Sequence, residues 1–279
     1  MHIEKNIVLE RIDKKPILID TFYSDEIKQK SVIIFCHGYK GFKDWGAWNL
    51  MATYFAKSGY CFVKFNFSHN GGTINDPIDF PDLEAFGNNN YTKELDDLND
   101  VMDWVQSHFK NNPNINTNEI SLIGHSRGGG IALLKSAEDK RITKLITLAS
   151  VSDFASRFGS TEEIVKWKND GVKYVTNGRT KQQMPHYYQF FEDFNANETR
   201  LDIASATKKI DIPILIIHGD KDTSVDINEA NNIDNWSSNS KLEVITGADH
   251  VFNTNHPWTK GELSSELKSV VSKIINFIS

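Results

Sequence analysis

The sequence predicts an α/β fold, in which helices flank a mainly parallel sheet of eight strands and a small helical insertion is added. Strand-like and helical segments alternate along most of the 279 residues, an order typical of a parallel sheet covered on both faces. Residues 31–37 and 60–67 are nearly continuous apolar runs, as expected of central parallel strands. A Gly-x-Ser-x-Gly motif at 124–128 lies between an apolar run and a small-residue helical segment. Chains of this length commonly form one domain, so we assign residues 1–279 to a single domain.

The elements follow one another in a regular order. Residues 7–12 and 16–23 are expected to form an N-terminal hairpin. In the last helix, apolar residues from Leu263 to Ile278 recur at three- and four-residue spacings and form one stripe. The remaining strands are predicted at 31–37, 60–67, 119–125, 144–149, 213–218 and 241–245, and the helices at 48–57, 91–109, 127–137, 226–236 and 263–278.

One segment interrupts the alternation. Residues 152–209 lie between two predicted strands and are more than a single crossover helix requires. The segment is rich in aromatic residues, including Phe154, Phe158 and Phe190. We predict a helical lid over the edge of the sheet. Most of its aromatic side chains are expected to pack it onto the domain, and a few to line a substrate cleft.

Charge and composition argue against several classes of partner. The formal net charge is −6, and no basic patch with interleaved aromatic residues suggests nucleic-acid binding. No apolar run is long enough to span a membrane, and acidic residues interrupt the N-terminal segment where a signal peptide needs an apolar core. We therefore expect a cytoplasmic protein that binds neither nucleic acid nor membrane. Cys36 and Cys61 lie in strand-like runs and are expected to be buried and reduced, with a disulfide or a reactive thiol as the alternative. The oligomeric state is left open.

The Gly-x-Ser-x-Gly motif predicts a nucleophile. A strand, then this motif, then a helix is the order of the nucleophile elbow, a sharp turn that exposes a serine at the carboxyl edge of a parallel sheet. Ser126 occupies the serine position, between Gly124 and Gly128. The helix that begins after Ser126 directs free backbone N–H groups towards any oxyanion that forms there.

A serine hydroxyl also requires a base and a carboxylate that orients this base. In this fold the acid and then the histidine follow the serine, each in a loop after a later strand. The strand at 213–218 leads into a turn with Asp220 and Asp222, and the strand at 241–245 leads into a turn with His250. Ser126 and Asp222 are 96 residues apart, and Asp222 and His250 are 28 apart, which leaves room for the insertion, one helix and one strand. Structural roles are assigned to His37, His125 and His218, whereas His69, His108, His186 and His256 carry no positional argument.

These three ordered motifs resemble those of the α/β hydrolases, in particular the esterase and serine-aminopeptidase-like branch that includes feruloyl and cinnamoyl esterases. The resemblance runs from about Val32 to the C-terminus. It implies that Asp222, the second acid of Gly-Asp-x-Asp, orients His250 while Asp220 shapes the turn; Asp220 is the alternative acid. It also implies an oxyanion hole made by the backbone N–H groups of Tyr39, in His-Gly-x, and of Arg127.

The surroundings of this triad imply no cofactor and no metal. The glycine-containing loop at 67–73 lacks the pattern of a phosphate-binding loop, and no Cys/His set has zinc spacing. The acidic residues between Glu94 and Asp100 are expected to form a solvated helix face. The side chain of Arg127 is expected to form a salt bridge to a nearby loop, with binding of a substrate carboxylate as the alternative.

The resemblance favours hydrolysis of small esters with short-chain or aromatic acyl groups, through an acyl-enzyme on Ser126. A peptidase or amidase is the second enzyme hypothesis, and it requires an acidic anchor for an amino terminus, for which Glu162, Glu163 and Glu192 are candidates. A thioesterase is a third. A ligand-binding protein on a hydrolase fold is the non-enzyme alternative.

Overall fold

A computed structural model describes residues 1–26 and 30–279. Its main feature is an eight-stranded sheet with the strand order β1-β2-β4-β3-β5-β6-β9-β10. β1 and β2, and β2 and β4, pair antiparallel, and the other five neighbouring pairs are parallel. The mainly parallel eight-stranded sheet is thus as predicted. The strands are β1 His2–Leu9, β2 Ile17–Tyr23, β3 Lys30–Cys36, β4 Cys61–Phe65, β5 Ile115–His125, β6 Ile142–Leu148, β7 Val172–Thr176, β8 Gln183–Tyr187, β9 Ile214–Gly219 and β10 Ser240–Ile245.

Helices cover both faces of this sheet. Side chains alternate along a strand, so successive apolar residues of β3 point to opposite faces. Val32 and Ile34 join one buried cluster and Ile33 and Phe35 the other. The first cluster includes α3 and α4, and the second α1 and α9. The helices are α1 Trp48–Lys57, α2 Leu83–Gly87, α3 Tyr91–His108, α4 Arg127–Glu138, α5 Thr161–Asp170, α6 Gln189–Ala196, α7 Ile203–Thr207, α8 Ile227–Trp236 and α9 Ser265–Ile278.

The segment at 152–209 contains more than helices. It holds α5, α6, α7 and a short 3-10 helix, Ala155–Arg157, but also the antiparallel hairpin of β7 and β8, which the sequence analysis did not predict. The indole N–H of Trp167 donates to the backbone carbonyl of His186 at 2.7 Å and ties α5 to the hairpin. Phe154, Phe158 and Phe190 are buried in the main core cluster.

A buried charge network fixes the loop after β3. Lys64 of β4 contacts Asp20 of β2 at 2.6 Å and Asp44 at 2.8 Å. Lys43 contacts the same two carboxylates, at 2.8 and 2.5 Å. Burial works to raise the pKa of Asp44, but Lys64 and Lys43 hold it well below its usual value. Alternating charges of this kind compensate each other in the low-dielectric interior, so the loop is anchored to two strands.

Cys36 and Cys61 are buried free thiols, as predicted, and burial raises the pKa of both. Among the residues described, no helix combines the length and the apolar character needed to cross a bilayer.

Candidate active site

Ser126 lies at a sharp turn between β5 and α4. Its backbone has φ 55° and ψ −121°, in the left-handed half of φ space that non-glycine residues rarely adopt. A Cβ added at Gly124 would lie 2.3 Å from the carbonyl oxygen of Gly128, and one added at Gly128 would lie 2.5 Å from the carbonyl oxygens of Cys36 and His37. These contacts are too short for any side chain, so the turn requires glycine at both positions.

The turn after β3 approaches Ser126 from the neighbouring strand. A Cβ at Gly38 would lie 2.9 Å from Cβ of Ser126. The His37 imidazole holds this turn, because its Nε2 accepts a hydrogen bond from the Phe67 N–H at 3.2 Å and its Nδ1 donates to the Gly38 carbonyl at 2.9 Å. Within residues 1–26 and 30–279, no acceptor pairs with the backbone N–H of Tyr39.

Asp222 and His250 form a hydrogen-bonded pair. His250 Nδ1 lies 2.7 Å from Asp222 Oδ2, and the other carboxylate oxygen accepts the backbone N–H groups of Ser224 and Val225 at 2.8 and 2.9 Å. The Asp222 side chain is fully buried, whereas that of His250 is 20% exposed. Asp220 lies elsewhere, with its Oδ1 accepting the Gly247 N–H at 2.7 Å. Of the two candidate acids, Asp222 is therefore the one in contact with the histidine.

Electrostatics keep Asp222 ionised. Burial works to raise its pKa, but hydrogen bonds from His218 and His250 outweigh burial and hold the pKa well below the usual value. His218 is fully buried and its Nε2 lies 2.9 Å from the carbonyl oxygen of Val225 and 3.3 Å from Asp222 Oδ2. The pair therefore joins a fixed carboxylate to a partly accessible imidazole.

His125 also contacts His250. Its Nε2 donates to the backbone carbonyl of His250 at 2.9 Å, and the two ring centroids are 4.8 Å apart. Burial, together with the neighbouring His250, lowers the pKa of His125 to about 3. His125 thus stays neutral and has a structural role, as do His37 and His218, in line with the sequence analysis.

Ser126 and His250 line one cavity of about 470 Å³. Tyr39 and Arg127 also contribute to its wall, so all the predicted site residues except Asp222 border it, and Asp222 lies behind His250. Three aromatic side chains of the insertion complete the apolar part of the wall: Phe154, Phe158 and Phe190. Among the residues described, no group of three or more His, Cys, Asp or Glu side chains is arranged to hold a metal ion.

The prediction of a solvated acidic face on α3 is wrong for two of its residues. Glu94 and Asp97 are only 3% and 2% exposed. Glu94 Oε1 lies 3.3 Å from Arg127 Nη1, and Asp97 Oδ1 lies 2.6 Å from Arg11 Nη1. Both carboxylates face cations that are distant in sequence, which helical periodicity does not reveal. The expected salt bridge of Arg127 therefore exists, but its partner is on a helix.

The hairpin supplies a residue that the sequence analysis left without a role. His186 of β8 is buried in the cavity wall, and its Nε2 lies 2.7 Å from the hydroxyl oxygen of Tyr39. This bond joins the insertion to the turn that approaches Ser126. No sequence motif identifies His186, because its position in the cavity wall depends on the β7–β8 hairpin, which the local sequence does not predict.

Comparisons with known proteins agree with this architecture. A family model described as BD-FAE matches residues 20–236. A structure of Est1E from Butyrivibrio proteoclasticus with ferulic acid bound is 16% identical and has a TM-score of 0.70, with 98% of this chain and 97% of that chain covered. The esterase domain of a Rhodothermus marinus protein is 16% identical with a TM-score of 0.66, covering 99% and 98%. Structures named as alpha/beta hydrolases match over 98–100% of this chain with TM-scores of 0.69 and 0.70, so the fold is that of the α/β hydrolases.

A curated relative named as an uncharacterized peptidase, YtmA of Bacillus subtilis, is 27% identical over 120 residues, or 43% of this chain. The match spans 41% of the length of that relative.

Proposed function

The chain belongs to the BD-FAE family, and on this premise we propose that it is a serine hydrolase that cleaves small carboxylic esters through an acyl-enzyme on Ser126. One observation above all supports the proposal. The imidazole of His250, oriented by Asp222 at 2.7 Å, opens on the same cavity as a serine held at a strained strand-to-helix turn.

In the proposed reaction, His250 takes the proton of the Ser126 hydroxyl as its oxygen attacks the ester carbonyl carbon. The negative charge on the tetrahedral intermediate is stabilised by the backbone N–H groups of Tyr39 and Arg127. Collapse breaks the bond to the alcohol oxygen, which receives the proton from His250. A water molecule, deprotonated by His250, then attacks the acyl carbon. The bond to Ser126 Oγ breaks, this oxygen takes the proton back from His250, and the carboxylic acid is released. Asp222 holds Nδ1 of the imidazole throughout, so that Nε2 is the atom that exchanges protons.

The wall of the cavity favours short-chain or aromatic acyl groups. Phe154, Phe158 and Phe190 supply flat apolar surfaces beside Ser126, and rings of this kind pack well against an aromatic acid. The similarity to Est1E, whose structure contains ferulic acid, points to the same class of acyl group.

A peptidase is the second candidate, because one relative is named as a peptidase. An aminopeptidase needs a carboxylate to bind the amino terminus of its substrate. Among the residues described, no carboxylate lines the cavity, and Glu162, Glu163 and Glu192 lie outside it. Glu163 instead closes the capping box of α5 with Ser160. We therefore favour the esterase.

The test is steady-state hydrolysis of p-nitrophenyl acetate, butyrate and octanoate and of methyl ferulate, by the wild-type protein and by Ser126→Ala. We expect turnover that disappears in the variant, with acetate, butyrate or ferulate preferred over octanoate. Amides with the same acyl groups should react far more slowly. An amide cleaved as fast as its ester would favour the peptidase, and no turnover of any substrate would contradict the proposal.

A further inference from the structure

The charged side chains that line the cavity all have the same sign. They are Lys40, Arg127, Arg157 and Lys173, and no aspartate or glutamate joins them among the residues described. The chain as a whole carries a formal net charge of −6. A cationic cavity in an acidic protein is a local feature that the average composition does not explain.

The positive charges of the two arginines are paired with carboxylates that lie outside the cavity. Arg127 Nη1 lies 3.3 Å from Glu94 Oε1, and Arg157 pairs with Glu229, but neither carboxylate borders the cavity. The Arg127 guanidinium also lies over the ring of Tyr39, 4.4 Å from its centroid. A guanidinium has five N–H donors, so the contact with Glu94 leaves donors of Arg127 without an acceptor among the residues described.

The ammonium groups of the two lysines lie over aromatic rings and, among the residues described, are not ion-paired with carboxylates. Lys40 Nζ lies 5.0 Å from the ring centroid of Tyr39, and Lys173 Nζ lies 3.8 Å from that of Trp167. Within the described part of the chain, neither ammonium group forms an ion pair with a carboxylate. Burial lowers the pKa of Lys40, and the charge of Arg127 lowers it further. Lys40 is therefore held near another cation, Arg127, whereas the charge of Glu163, which does not line the cavity, acts on Lys173 without forming an ion pair.

Three of the four cations influence the imidazole of His186. Burial lowers its pKa to about 3, and the charges of Arg127, Lys173 and Lys40 act in the same direction. The three cations thus act on one neutral ring, from the elbow, the hairpin and the turn after β3. An anionic ligand group placed beside this ring would be attracted by all three, in a partly dehydrated site where such attraction is stronger than in water.

We propose that the preferred ester carries a second, anionic group, a carboxylate, which binds among Arg127, Lys40 and Lys173 while the ester carbonyl lies at Ser126. This inference rests on the proposed function, since it identifies the substrate class of the same site. The carboxylate belongs either to the acyl part, as in a half-ester of a dicarboxylic acid, or to the alcohol part, as in an acylated hydroxy acid. Both sources present the same chemistry to the three cations.

The kinetic test compares esters that differ only in charge. On the acyl side, monomethyl succinate, adipate and suberate are compared with their terminal carboxamides. On the alcohol side, 4-acetoxybutanoate is compared with 4-acetoxybutanamide. We expect at least one carboxylate ester to be preferred over its amide by about tenfold in kcat/KM, and the preference to fall as the salt concentration rises. Equal rates for both members of every pair would overturn the inference.

Three variants locate the effect. Lys40→Met and Lys173→Met are each expected to reduce the preference about fivefold. Lys168→Met is the matched control, because Lys168 is an exposed lysine of the same insertion that does not line the cavity. An undiminished preference in both cavity variants would overturn the inference.

Binding separates this inference from the proposed function. Calorimetric titration of Ser126→Ala with the same carboxylate esters should show binding that weakens in salt and in the double variant Ser126→Ala/Lys173→Met. Carboxylate binding without turnover by the wild-type protein would support the anion site and contradict the esterase. Turnover of neutral esters with no preference for the carboxylates and no salt-sensitive binding would support the esterase and overturn the anion site.

Discussion

Gly38→Ala tests whether the turn after β3 is part of the catalytic site. The added Cβ would lie 2.9 Å from Cβ of Ser126, and the carbonyl oxygen and Nδ1 of His125 would be 3.2 and 3.3 Å away. Carbon atoms in contact are about 3.5–4.0 Å apart, so the turn must move away from Ser126 by about 0.6–1 Å. A displacement of about 1 Å costs on the order of 10²-fold in rate. We therefore expect kcat/KM to fall about 100-fold, or about 2.7 kcal/mol of transition-state stabilisation.

The assay is hydrolysis of p-nitrophenyl acetate, with thermal unfolding measured on the same samples. Gly261→Ala is the matched control, because no atom lies within 4 Å of a Cβ added there, and it should retain both activity and stability. If Gly38→Ala keeps its kcat/KM within about twofold of the wild-type value, the Tyr39 N–H does not act on the reacting carbonyl and the reasoning is refuted.

Three further predictions concern the acid, the buried charges and pH. Asp222→Asn should lower kcat by about 10³–10⁴ through loss of the imidazole orientation, whereas Asp220→Asn should lower it less than tenfold; steady-state kinetics at equal stability would show the reverse order if Asp220 were the acid. Lys64→Met leaves a buried carboxylate with fewer partners and should cost about 3 kcal/mol in the free energy of unfolding, measured by urea denaturation; a cost below about 1 kcal/mol would contradict this. Burial lowers the pKa of His37 to about 4, although its hydrogen bond to the Gly38 carbonyl partly opposes this effect. Below the usual pKa of about 6.5, the unfolded chain therefore takes up a proton at His37 that the folded chain does not. The contribution of His37 to stability is then fully present above about pH 6.5, and this contribution falls by about 1.4 kcal/mol per pH unit down to about pH 4. His37→Gln should remove about 2 kcal/mol of the loss between pH 8 and pH 5, and an unchanged pH dependence would contradict it.

The sequence was most informative where local chemistry decides the structure. The apolar runs of β3, β4 and β9 have no other stable place than the centre of a covered sheet, so their position follows from composition. The Gly124-His-Ser126-Arg-Gly128 elbow is equally local, because the contacts of its two glycines leave no room for a side chain. The order of Ser126, Asp222 and His250 along the chain was also predictable, since it follows from the order of the strands.

The features that could not be predicted depend on contacts between segments that are distant in the sequence. β7 and β8 are short, contain Pro185 and lack clear alternation, so nothing local distinguished them from a loop in the insertion. The burial of Glu94 depends on Arg127, 33 residues away. The cationic wall of the cavity combines Lys40 with Lys173, and Lys173 lies on the β7 strand of the hairpin that was not predicted. The identity of a residue does not reveal which distant side chain it will contact, so these pairings could not be predicted.

The central claim is that Ser126 carries the acyl group during turnover. The most direct measurement is mass spectrometry of the protein quenched with acid during hydrolysis of p-nitrophenyl acetate, followed by peptide mapping. We expect one acetyl group per chain, located on the peptide that contains Ser126, and none in Ser126→Ala. Turnover with no acetylated Ser126, or with the acetyl group on another residue, would contradict the mechanism.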